Sequence, residues 1–62
     1  MNMNKVDTYK EEAEKAKIEW LEAEKRLDHA DDDLKDSVIY DIMSKRSRYM
    51  AFVRRLKNEV FN

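Results

Sequence analysis

Two clusters of charged residues have the types and spacing that could do chemistry, and each would do a different kind. Asp28-His29-Ala30-Asp31-Asp32-Asp33, with Asp36 one turn further on, gathers carboxylates and an imidazole that could hold a divalent cation. It lacks the alternating ligands, the turn Gly and the terminal Glu of a calcium-binding loop. A hydrated acidic turn that caps the next helix accounts for the run better, and His29 is given no role. Arg48, Arg54 and Arg55 could touch a few phosphates, with Tyr40 and Phe61 as possible stacking groups. Against nucleic acid stand a net charge of −1, a pI of about 5.8 and an acidic first half beside those arginines.

Catalysis finds less support still. The chain has no Cys, no Ser placed beside a base, and no Gly with which to shape a phosphate-cradling loop. Two packed helices cannot easily enclose a substrate and exclude water. The expectation is a non-enzyme with no cofactor and no metal.

The elements that carry these side chains follow from composition and period. Sixty-two residues make one domain at most, and Gly, Pro and Cys are all absent. The missing Cys excludes a disulfide framework, and the missing Gly and Pro favour long helices. Charged residues make up 44% of the chain and the mean hydropathy is −0.97, as in coiled coils and helical bundles. No apolar run approaches membrane-spanning length and the N-terminus has no signal-like apolar region, so the cytoplasm is the expected location.

Val6, Tyr9, Ala13, Ala16, Trp20, Ala23, Leu27, Ala30 and Leu34 recur at alternating steps of three and four, the period of a helix facing another helix. Ile39, Ile42, Arg46, Tyr49, Val53, Leu56 and Val60 form a bulkier second series. Folding the chain back so that paired positions sum to about 65 or 66 sets Ala23 against Ile42, Ala16 against Tyr49 and Ala13 against Val53. Small then faces large. The same alignment places Arg46 opposite Trp20, either as a cation over the indole or reaching outward to Glu19, Glu22 or Glu24.

Helix 1 can start at Asn4 as N-cap or at the capping box Thr8-Tyr9-Lys10-Glu11. The pairs Glu11–Lys15 and Glu22–Arg26 support it at i,i+4. Asp33 is expected to cap helix 2, with Asp36 at its third position. One continuous helix is the rival, since nothing forces a break. The phase argues against it: the first seam continued past Leu34 lands on Ser37 and Asp41, both polar. Charge agrees. Residues 1–36 hold seven Lys/Arg against twelve Asp/Glu, and residues 37–62 hold six against two. Antiparallel helices of opposite sign attract.

Glu19-Trp20, Lys25-Arg26-Leu27, Asp33-Leu34 and Asp36-Ser37-Val38-Ile39-Tyr40 come next, followed by Arg48-Tyr49 and then Lys57. Together they resemble the small YaaL-like family of Gram-positive bacteria over roughly residues 12–59. The family commonly carries Pro in the turn where this chain has Asp31-Asp32-Asp33. The resemblance implies an α-helical hairpin and a bacterial or bacteriophage source, and it implies no activity.

The sequence thus predicts an all-α protein, a single domain over residues 1–62 built as an antiparallel two-helix hairpin. Helix 1 runs over about 5–30, the turn over about 31–33 and helix 2 over about 34–60. A hairpin of this size is marginal alone, so it is expected to dimerise into a four-helix bundle or to dock on a larger protein. Surplus apolar surface is the strongest functional feature. Val38, Met43, Met50 and Phe52 flank the second seam, and Ile18 and Leu21 lie on helix 1 away from the first. The expected function is that of an adaptor or modulator acting through these residues. The alternative is a small nucleic-acid-associated regulator using Arg48, Arg54 and Arg55.

Overall fold

The computed structural model describes residues 5–61. Two helices, α1 (Lys5–Leu27) and α2 (Asp32–Phe61), pack antiparallel as a hairpin, and the described residues contain no other regular element. Its Cα atoms span 48 × 22 × 12 Å, close to the roughly 45 Å that a thirty-residue helix occupies. The long axis of the molecule is therefore α2 itself.

α1 starts at Lys5, the earlier of the two starts read from the sequence. Thr8 lies inside the helix, and the Asn4 cap falls outside the described residues. The helix stops three residues short of the predicted end. Asp28, His29 and Ala30 donate their N–H groups to the carbonyls of Lys25, Arg26 and Leu27, at 3.3, 3.1 and 3.4 Å. These i→i−3 bonds tighten and end the last turn, where Asp28 and His29 give little helical support. The connection is residues 28–31, not 31–33. α2 begins at Asp32, so Asp31 rather than Asp33 takes the capping position, and its carbonyl accepts the Leu34 N–H at 2.8 Å. Asp32 and Asp33 instead lie in the first turn, where negative charge suits the helix dipole. No described residue has a positive φ, so the chain reverses without the left-handed position at which Gly would be needed.

The alanines of α1 are the centre of the molecule. Ala13, Ala16 and Ala23 are the buried residues, Ala23 being 1% exposed, and no large side chain among the described residues is fully buried. Val6, Tyr9, Trp20 and Leu27 are half-buried along the same face, as the 3-4 spacing predicts. Leu34, the last residue of that series, lies in α2 and is 55% exposed.

On α2 the face differs from the expected one. Val38, Ile42, Lys45, Tyr49, Phe52 and Leu56 are half-buried and recur at steps of four and three, with Asp41 and Val53 on its two margins. Ile39, Arg46 and Val60, read from the sequence as seam, are exposed. The helix is turned by about half a residue step, roughly 50°, from the predicted orientation: Ile42, Tyr49 and Leu56 stay on the inward face, while Val38, Lys45 and Phe52 come in and Ile39, Arg46 and Val60 go out. Half-buried Lys45 therefore takes the polar seam position in place of Arg46.

The alignment shifts with it. Trp20 stacks on Tyr49 with ring centroids 5.7 Å apart and an interplanar angle of 26°. Arg26 reaches Asp41 and Glu19 reaches Arg48, each at 3.6 Å. The first of these contacts joins positions summing to 69 and the other two join positions summing to 67, rather than 65 or 66. The first turns of α2 consequently project beyond the end of α1, which explains the exposure of Leu34.

Candidate functional site

The two long edges of the hairpin, where the flanks of α1 and α2 meet, are chemically opposite. Glu19 and Arg26 share one flank of α1, and Arg48 and Asp41 share the facing flank of α2. Their two ion pairs span the interhelical cleft and close that edge. Phe52 leans to the same side, with the Arg55 guanidinium 5.7 Å from its ring centroid.

The other edge is open. Leu21, Leu27, Ile39, Ile42 and Met43 line a groove of about 640 Å³ between the helices, with Glu24, Lys25 and Asp28 at its rim. Leu21, Ile39 and Met43 are exposed, Met43 by 63%. A smaller depression of about 370 Å³ lies next to it on the outer side of α2. Ser47, between Met43 and Met50, and Ala51, just past Met50, line it, with Arg46 and Arg54 alongside. Apolar surface with charged residues at its margin is the form a protein contact takes.

The six residues singled out for association separate into two groups. Met43 and Met50 are exposed on α2, and Leu21 and Ile18 on α1, Ile18 by 56%. Leu21 and Met43 meet in the groove, while Ile18 lies round the back of α1. Val38 and Phe52 are half-buried in the seam between the helices and hold the hairpin together. The residue missed was Ile39, assigned to the seam but exposed in the groove. Its pairing with Val38 hid it, because adjacent apolar residues on a helix give no sign of which one faces inward.

The three candidate phosphate-contacting arginines do not converge. Arg48 is tied to Glu19, Arg55 lies over Phe52, and Arg54 borders the depression on the outer side of α2. Arg46 is exposed and makes neither an ion pair nor a ring contact among the described residues; the ring partner of Trp20 is Tyr49. The expected i,i+4 pairs are likewise replaced: Lys15 approaches Glu12 at 3.9 Å, and Arg26 turns across to α2 instead of to Glu22.

In the acidic turn, Asp32 pairs with Lys35 at 3.1 Å, and Asp31, Asp32 and Asp33 are exposed. Among the described residues no three Asp, Glu or His side chains gather where they could hold a metal ion. No described helix is long and apolar enough to cross a membrane.

No protein-family model matches the chain, and no curated protein or solved structure matches it either.

Proposed function

We propose that this chain is a small protein-interaction module, without catalysis of its own, that modulates a larger protein by taking one of its apolar helical segments. The observation that carries this reading is the open groove of Leu21, Leu27, Ile39, Ile42 and Met43, on the edge that no ion pair closes. A groove between two antiparallel helices suits a third helix, whose anchors recur at three and four residues. The hairpin also exposes more surface than its mass requires. A compact protein of 7.5 kDa would expose about 4,200 Å²; this one exposes 5371 Å². The difference, about 1,100 Å², is of the size one partner contributes to a stable interface.

The test places a photo-crosslinking side chain at Leu21 and exposes the protein to extract of its source cell. Adducts should map to an amphipathic helix of one larger protein, and Met43→Glu should abolish them while helicity by circular dichroism is retained. Adducts that persist in Met43→Glu, or none at all, remove the groove as the binding surface.

A further inference from the structure

The outer side of α2 carries a second stripe that the groove does not use up. Asp32, Asp36, Ile39 and Met43 follow at steps of four, three and four, and Met50, Arg54, Lys57 and Phe61 repeat those steps. Steps of this kind keep residues on one helix face. The order of steps is the same from either end, about a midpoint between Arg46 and Ser47. We propose that this stripe joins two copies of the chain, α2 against α2 and antiparallel, about a two-fold axis passing between Arg46 and Ser47.

Under that operation Met43 lies opposite Met50 of the second copy, twice, at the centre. The depression beside Met43 and Met50, where Ser47 between them presents little side-chain bulk, leaves space for an incoming thioether. Met is unbranched and adapts to such irregular space. Asp36 lies opposite Lys57, and Ile39 lies along the aliphatic stem of Arg54.

Charge selects the antiparallel arrangement over the parallel one. Residues 32–41 contain four Asp and one Lys, whereas residues 45–57 contain six Lys/Arg and no acid. Antiparallel copies lay the acidic part of each α2 along the basic part of the other. Parallel copies would set acid on acid and base on base. The stripe is exposed: Ile39, Met43, Met50 and Phe61 are among the large apolar side chains the hairpin leaves in water. The elongated hairpin exposes enough surface to supply the roughly 800 Å² that each partner buries in a standard interface. The two α1 helices then flank a central α2 pair.

The dimer covers Ile39 and Met43, which also line the groove, so a second copy and a groove partner compete for them; Leu21 belongs to the groove alone, so the two readings can fail separately. The experiment measures mass by light scattering and sedimentation across a dilution series of the full chain. Wild type should be a dimer. Asp36→Lys and Lys57→Glu should each raise the dissociation constant about tenfold, because the two-fold axis counts each contact twice. The double variant should return to within about twofold of wild type. Both positions are exposed, and circular dichroism checks that the variants stay helical. In this Cys-free chain, Ser47→Cys beside the axis should form a disulfide-linked dimer on oxidation, and Ser37→Cys on another face should not. A folded wild-type chain that is monomeric at every concentration overturns the proposal. So does a dimer without charge-swap rescue and without a Ser47→Cys link. Leu21 crosslinking to a larger protein in either case would leave the groove reading standing.

Discussion

The two edges of this hairpin are made by the same pair of helices and do opposite things. One is crossed by Glu19–Arg48 and Arg26–Asp41, both at 3.6 Å, and offers a partner mainly charge. The other has no ion pair across it among the described residues and leaves Leu21, Ile39 and Met43 in water. Charges across an exposed cleft add little stability, but they penalise misalignment. Apolar groups left in water cost solubility and are retained where something covers them. The difference suggests a division of labour: one edge carries the charges that can set alignment, and the other, on the reading proposed above, is left for a partner.

The sharpest way to break that comparison is to separate the helices on which both edges depend. Ala23 is 1% exposed, and its methyl group is what allows α2 to approach. Ala23→Leu adds three heavy atoms where there is no room, an overpacking cost of about 1–3 kcal/mol. Thermal unfolding followed by circular dichroism should show the midpoint falling by roughly 10–20 °C. The closed edge should lose its charge coupling and the groove should lose partner binding together. A variant that keeps either edge would show that close approach at Ala23 is not what supports both.

A smaller effect is expected at Trp20, which stacks on Tyr49 in the layer between the edges. Trp20→Ala removes a large but only half-buried ring, so about 2 kcal/mol is expected, below the 3–5 of a fully buried one. Trp20→Phe should recover about half of that loss, because a ring can still stack there. Equal losses in the two variants would mean that a phenyl ring at this position contributes neither stacking nor area, and that only the full indole reaches Tyr49.

The fold was legible because its signal is repetition. Unbroken 3-4 spacing from Val6 to Leu27 identifies α1 and its inward face, and the alanines within it identify the close contact. The phase break identifies a hairpin without Gly or Pro. The orientation of α2 was not legible, for a definite reason. Val38 with Ile39, and Phe52 with Val53, are neighbouring apolar pairs, so two stripes about 50° apart, sharing Ile42, Tyr49 and Leu56, both satisfy a helical period. Local sequence cannot choose between them; packing against Ala13, Ala16 and Ala23 does. The choice carried the site with it, moving Val38 and Phe52 into the seam and Ile39 into the groove. The turn was displaced for a similar reason. Asp31, Asp32 and Asp33 are equally able to cap a helix, and the tightened turn at Asp28–Ala30 brings Asp31 into that position.

The finest test of the comparison concerns what the closed edge is for. Its side chains are 39–68% exposed, so solvent screens both pairs, and Glu19→Gln should cost only about 0.5 kcal/mol, or 2–4 °C. At about 1 M salt, where charges separated by more than roughly 3 Å are screened, the difference from wild type should vanish. The two pairs run in opposite senses: the acid of one is on α1 and the acid of the other on α2. Slipping α2 by one turn, so that paired positions sum to 63, would bring Asp41 to Glu22 and Arg48 to Lys15. Both contacts would then be repulsive, whereas two pairs of the same sense would not impose that penalty. Glu19→Gln removes half of the discrimination, so Trp20 emission, which reports its contact with Tyr49, should broaden at low salt as slipped hairpins become populated. Unchanged emission with an unchanged melting midpoint would deny the closed edge its part in alignment and leave the alanine seam to set the register by itself.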